Sequence, residues 1–376
     1  MKFVLAPDSF KESMTAKEVA DSMEKGIKKV FPSAECIKVP MADGGEGTVQ
    51  SLIDATLGEL VNVKVIGPLG NEVTASFGIS GDKNTAIIEM ASASGIHLVK
   101  KEDRNPLLTT TYGTGMLIKS ALDKGVKHIL IGIGGSATND GGAGMIQALG
   151  AKLLDKEGKE IPFGGGALNR LNSIDLSNLD RRLKDISIDV ACDVKNPLTG
   201  ENGASKVFGP QKGATLEMVE TLDKNLTHYA KIIKKCLNKE VLNIPGSGAA
   251  GGLGAGLMAF LNAELKSGVE LVIKFTDLEN KMQGADFVFT GEGSIDSQTI
   301  CGKTPYGVSM TAKKLGIPVI AFAGKIGTGI LPLYGKGINS IVGILPSATD
   351  LNTALKEGPL NMERASENIC RILNIK

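Results

Sequence analysis

The chain has 376 residues, more than one hydrophobic core usually serves, so its length predicts about two domains. Lys and Arg total 42 against 41 Asp and Glu, a net charge of +1, which leaves no global electrostatic footprint for nucleic acid or an anionic membrane surface. Aromatics are only 4%, with no Trp, while Gly reaches 48 residues, a balance that favours tight loops and close backbone approach to a small ligand over base-stacking platforms.

Residues 2–6 read as a buried strand and residues 15–31 as a helix, because Ala16, Val19, Ala20, Met23, Ile27 and Val30 share one face. Thr15 with Glu18 makes a capping box at its start, and Pro32 follows its end. The loop between them carries Asp8, Ser9 and Lys11 at the carboxyl end of the strand. A second strand over 36–39 leads through Asp43, Gly44, Gly45 and Glu46 into a helix holding Val49, Leu52, Ile53 and Leu57. Asp43 with Glu46 three residues on is also a good helix cap, which competes with a chemical role for Asp43.

Residues 59–90 change to β-rich runs separated by Pro, Gly, Asn and Asp, the pattern of an antiparallel meander and a candidate domain boundary. A helix over 114–124, closed by Gly125, returns to a strand over 126–133 and then to the loop IGIGGSATNDGGAG at 131–144. Its glycines, Gly134 and Gly135 among them, allow close backbone approach, and Ser136, Thr138, Asn139 and Asp140 supply polar groups. A helix starting after Asp140 would add free N–H groups and a positive dipole end, the physical basis of phosphate binding; alternatively Asp140 simply caps that helix.

Short apolar pieces over 151–185 precede a strand at 186–191 that ends in Cys192, Asp193 and Lys195. Residues 203–214 read as an irregular loop with two lysines, followed by a long polar helix to about residue 239. Residues 245–261 are a Gly-rich loop running into an apolar helix; residues 246–251 match GxGxxG, but Pro245 and the weak strand before it lack the context of a dinucleotide site. The last third repeats strand and polar loop three times: 285–289 with Gly291, Glu292, Gly293 and Asp296 after it, 317–322 with Lys325 after it, and 338–345. Gly302, Lys303 and Thr304 look like the tail of a phosphate-binding P-loop, yet Ser297 stands where its first glycine belongs.

Alternating strands and helices predict an α/β protein: a discontinuous doubly wound, Rossmann- or flavodoxin-like parallel-sheet domain from residues 1–62 and 266–376, with a mixed α/β domain, 63–265, inserted into it. In such sheets ligands bind outside the carboxyl ends of the strands, where Asp8, Lys11, Asp43, Asp140, Asp193, Glu292, Asp296 and Lys325 all fall. Carboxylates, lysines and glycine N–H clusters together are what phosphoryl transfer needs, usually with Mg2+. His97, His128 and His228 are too scattered for a metal site or a serine triad and read as structural; Cys301 near the strand-end loops has no placed histidine to activate it. The five cysteines form no CxxC pair, the N-terminus has no signal-peptide pattern, and no run approaches the ~18 apolar residues of a membrane span, which together predict a soluble cytoplasmic protein.

The blocks APDSFKESMTAKEVADSMEKGI at 6–27, PMADGGEGT at 40–48, GIGGSATNDGGAGM at 132–145, ACDVKNPLTGENGA at 191–204, FGPQKGA at 208–214 and TGEGSIDSQTICGKTPYGV at 290–308 resemble the bacterial type I glycerate kinases across nearly the whole chain. The resemblance implies phosphorylation of D-glycerate by ATP, generally at the 2-hydroxyl, by two α/β domains with the site between them. Within that frame Asp193 is the first candidate for the base and Asp43 the second. Lys11 joins them as a catalytic cation, and Asp8, Ser9, Lys11 and Lys195 are expected to hold glycerate. Gly134, Gly135, Ser136, Thr138, Asn139, Gly291, Gly293 and Lys303 are expected to hold phosphates, and Glu292 and Asp296 to hold Mg2+. The competing readings are a nicotinamide-dependent hydroxy-acid dehydrogenase using the 246–251 glycines and a non-catalytic sugar-acid-binding protein. Whether the chain forms a homodimer is left open by the sequence.

Overall fold

A computed structural model describes residues 1–45 and 47–375; the expected pairing of Asp43 with Glu46 therefore involves a residue outside the described ones. The strands are β1 (Lys2–Leu5), β2 (Glu35–Lys38), β3 (Glu59–Ile66), β4 (Glu72–Ile79), β5 (Thr85–Glu89), β6 (His128–Gly132), β7 (Lys152–Leu154), β8 (Ser173–Asp175), β9 (Ser187–Ala191), β10 (Glu264–Lys266), β11 (Phe287–Ile295), β12 (Val319–Ile326) and β13 (Ile338–Gly343). They fall into a terminal unit, Met1–Asp43, Gln50–Leu57 and Ser267–Lys376, and a central unit, Gly44–Val49 and Gly58–Lys266. All of β3 pairs with β4 in the central unit, so the chain changes unit ahead of the boundary expected at 62/63.

In the terminal unit the sheet runs β13-β12-β11-β1-β2, every neighbour parallel. Counted within the unit this is the 2-1-3-4-5 order of flavodoxin-like sheets, with its reversal between β1 and β11. Phe3, Val4 and Leu5 are wholly buried, as the unbroken apolar run of a central parallel strand requires. The helix Ala16–Val30 begins with the expected capping box of Thr15 and Glu18 and buries Val19, Ala20, Met23 and Ile27 along one stripe. Each of its large apolar side chains contributes about 1.5–3 kcal/mol on burial. It packs closely on the final helix, Gly358–Leu373: a Cβ on Gly26 would lie 2.3 Å from the carbonyl oxygen of Glu363, so only glycine permits this approach.

β11 and β12 are longer than the sequence indicates. They stay paired from Val288 with Val319 to Ile295 with Ile326, through the glycines that read as loop. The absent side chain of Gly291 makes room for the Phe322 carbonyl, which a Cβ would meet at 2.4 Å. Glu292 and Gly293 consequently project from a strand and Lys325 lies within β12.

The central unit has a sheet in the order β10-β9-β6-β5-β4-β3, with β5, β6, β9 and β10 parallel and β3-β4-β5 forming the expected antiparallel meander. Residues 203–214 are not irregular: a helix Ala204–Phe208 and a 3-10 turn Pro210–Lys212 are fitted between Gly203, Gly209 and Gly213, whose closeness hides such short elements from periodicity. The GxGxxG stretch is preceded by no strand, and its glycines are consumed by packing. A Cβ on Gly248 would lie 2.1 Å from the Pro197 carbonyl oxygen, and one on Gly251 2.0 Å from that of Thr138. No backbone is left there to approach a pyrophosphate, which removes the physical basis of the dehydrogenase reading. Among the described residues no helix is long and apolar enough to cross a membrane.

Candidate active site

At the β1/β11 switch point of the terminal unit, Asp8 follows β1 and Glu292 rides on β11. The ladder continues past β1, Ala6 donating to the Phe289 carbonyl and Asp8 N–H to that of Gly291 (2.9 Å). On the other side Met41 N–H donates to the Pro7 carbonyl (2.9 Å), carrying the chain from β2 up to Asp43. Asp8 accepts from Ser9 N–H (2.6 Å) on one oxygen and from the Thr304 hydroxyl (2.5 Å) on the other. Burial, with repulsion from Asp43 adding to it, raises its carboxyl to about 6 despite these hydrogen bonds. Glu292 is buried and accepts from the Thr299 hydroxyl (2.7 Å), with Lys303 Nζ at 3.4 Å from its other oxygen. Burial, and secondarily the charge of Asp8, raise it to about 7, against the opposing pull of Thr299 and Lys303. Two carboxyls that titrate near neutrality, facing a lysine and the start of the helix Thr304–Lys314, form an arrangement expected of a functional site rather than a core.

The neighbours have distinct places. Ser9 adds its hydroxyl to Asp8 at 3.3 Å. Lys11 is exposed on a tight turn closed by reciprocal backbone bonds between Phe10 and Met14. Asp296 accepts from Gln298 N–H (2.8 Å) and its own N–H donates to the Thr299 hydroxyl (3.2 Å); it shapes the turn that presents Thr299 to Glu292. Gly293 is open, nothing lying closer to an added Cβ than Phe10 Cα at 3.7 Å. Among the described residues no group of three or more His, Cys, Asp or Glu could hold a metal ion.

In the central unit the loop after β6 divides sharply. Gly134 and Gly135 are exposed, whereas Ser136 to Asp140 are buried. Ser136 Oγ and the Thr138 carbonyl both accept from Lys212 Nζ at 2.7 Å, and Asn139 Nδ2 donates to the Ser205 hydroxyl (2.9 Å). Asp140 accepts from Thr111 N–H and hydroxyl (2.8 and 2.9 Å) and from Gly142 and Gly144 N–H (3.1 and 3.2 Å). The capping alternative thus describes Asp140, whose carboxyl burial pushes up. The side chains of Ser136, Thr138 and Asn139 are buried, which leaves Gly134 and Gly135 as the exposed part of the loop. Lys212, 2% exposed, is lowered to about 7 by burial, with Asp140 pulling the other way.

Asp193 and Lys195 are exposed beyond the carboxyl end of β9. The helix after Asp43 begins at Thr48, and its Val49 N–H donates to Glu89 (2.9 Å). The histidines read as structural have structural partners where bonded: His128 pairs with Asp189 (3.2 Å), which also takes Lys266 (2.6 Å), and His228 meets the Leu171 carbonyl (2.7 Å). Sequence reasoning missed Thr299, Thr304, Lys212 and Glu89. Thr304 had a signal, since it directly follows Lys303 in the stretch dismissed as a failed P-loop.

The model of the glycerate kinase family matches residues 3–374. The glycerate 2-kinase of Escherichia coli (strain K12) is 56% identical over 375 residues, covering 100% of this chain and 98% of the relative. The glycerate kinase of Bacillus subtilis (strain 168) is 54% identical over the same shares. A crystal structure of a candidate glycerate kinase 2 from Salmonella typhimurium LT2 superposes with a TM-score of 0.93 at 52% identity, covering 99% of this chain and 98% of that one.

Proposed function

The chain belongs to the glycerate kinase family, and from that premise we propose that it transfers the γ-phosphoryl group of ATP to D-glycerate, at the 2-hydroxyl, with Mg2+. The observation that carries the reading is the pair Asp8 and Glu292, raised to about 6 and 7, beside Lys303 at the flavodoxin-like switch point. Phosphoryl transfer asks for little covalent chemistry from a protein; it asks for positioning, a base for the hydroxyl proton and cations against phosphate oxygens. Lys303 and the N-terminus of the helix Thr304–Lys314 supply positive charge for the phosphates. Ser9 and Lys11 are polar and cationic groups suited to the glycerate carboxylate.

The metal fits Asp43 in the terminal unit. Asp43 repels Asp8, a repulsion that a divalent cation held by Asp43 would relieve while Asp8 keeps its proton chemistry, and Mg2+ needs only one or two protein carboxylates when phosphates supply the rest. Glu292 and Asp296 suit it less: Glu292 faces Lys303, and an Asp296 oxygen is engaged in its turn. Bound there, Mg2+ would neutralise charge on the transferring phosphoryl oxygens. For the base, a value near 6 makes Asp8 ionised at neutral pH yet basic enough to take a proton, which favours it over Asp193 and Asp43. The five cysteines are free thiols, which agrees with action in the reducing cytoplasm.

ADP release by the purified protein tests the reading. It should depend on D-glycerate and persist within about tenfold in Asp193→Asn; a loss of 10²–10⁴-fold, the usual range for removing a base, would return that role to Asp193. No glycerate-dependent ADP release in the wild type would reject the kinase reading.

A further inference from the structure

The terminal unit contains a cavity of about 650 Å³ that the reaction groups leave unused. It lies between the helices Gly268–Phe275, Leu278–Met282 and Thr304–Lys314. Its volume is within the range of small-ligand sites, about 300–1,000 Å³. Along the third helix it is lined by Tyr306, Gly307, Met310, Thr311 and Lys314. These positions form one face, and the eight steps from Tyr306 to Lys314 extend it for about 12 Å at 1.5 Å per residue. The near end is Gly302, the residue before Lys303, whose ammonium lies 3.4 Å from Glu292. Val269 and Ile273 of the first helix and Tyr306 and Met310 of the third give it apolar lining.

The lining carries both signs of charge: Glu270, Asp277 and Glu279 with Lys274 and Lys314. The carboxylates can accept hydrogen bonds from sugar hydroxyls or an exocyclic amine. Phosphates fit the Gly302–Lys303 end, where the N-terminus of the helix Thr304–Lys314 adds to the lysine. Tyr306 serves both parts, lining the cavity from the first turn of the helix whose preceding residue, Lys303, faces Glu292.

We propose that this cavity receives the base and ribose of the nucleoside triphosphate that donates the phosphoryl group, with its phosphates directed past Gly302 to Lys303. The inference rests on the kinase reading and adds the place of the donor to it. Filling the cavity separates donor binding from the chemistry: Met310→Trp, and independently Ile273→Trp, should raise KM for ATP at least tenfold while KM for D-glycerate stays within twofold. Photolabelling of the wild type with 8-azido-ATP should mark peptides within 267–282 or 302–314, and excess ATP should protect them. ATP-protected labelling confined to other peptides would overturn the proposal, as would KM for ATP within twofold of wild type in both variants while they keep a wild-type melting temperature. Protected labelling of these peptides in a protein that shows no glycerate-dependent ADP release would uphold the nucleotide site and reject the acceptor instead.

Discussion

Asp8→Asn is expected to cut turnover by orders of magnitude and at the same time make the protein more stable above pH 6. Its carboxyl ionises near 6 in the folded chain against an ordinary 3.8. Between those values the folded chain keeps a proton that the unfolded chain gives up, so the stability contributed by this group is complete below about pH 4 and is lost as pH rises through 6. The difference is worth at most about 3 kcal/mol. An asparagine carries no charge to desolvate, and the Thr304 hydroxyl that donates to Asp8 can turn to accept from the amide. Thermal unfolding at pH 8 should therefore show the variant gaining about 1–3 kcal/mol, a gain that vanishes near pH 4, while its turnover falls by about 10²–10⁴-fold. A variant destabilised at pH 8, or one that turns over normally, would show that Asp8 is an ordinary structural carboxylate.

Glu292→Gln is expected to change the shape of the pH profile. The charge of Asp8 adds to burial in raising Glu292, so the acid limb of kcat/KM in the wild type should have its midpoint between about 6 and 7. With glutamine at 292 the group near 7 is removed, and the midpoint should fall to about 6, the value of Asp8. Lys303 also loses its partner, and kcat/KM at its optimum should fall by about 10²-fold, a loss of roughly 2.7 kcal/mol in transition-state stabilisation. An acid limb left where the wild type has it would dissociate Glu292 from the reaction.

Both effects come from features that the sequence displays unequally. The doubly wound sheet is legible because β1 and the runs at 287–289 and 319–323 are continuous apolar strands, and the capping box at Thr15 marks its helix without tertiary help. The antiparallel meander is legible for the same reason, each strand being bounded by turn residues. Glycines inside strands are not: Gly291 reads as loop because only the neighbouring Phe322 carbonyl, distant in sequence, explains it. The candidate site shows the same limit. Asp8, Glu292 and Lys303 stand at strand and helix ends and could be picked out by position, but the hydroxyls of Thr299 and Thr304 that hold the carboxylates become visible only when β1 and β11 are side by side. Lys212 is the reverse case, a charged residue that sequence places in a loop and the fold buries beneath Ser136 and Thr138, converting an expected phosphate cradle into a largely internal network.

Phosphorus NMR of the wild-type protein incubated with ATP, Mg2+ and D-glycerate reads the transfer to the 2-hydroxyl itself. The γ-phosphate resonance should disappear as a phosphomonoester coupled to a single proton grows, as for a phosphate on C2. A product coupled to two protons would place the phosphate on C3, and consumption of ATP to inorganic phosphate alone would rule out glycerate as the acceptor.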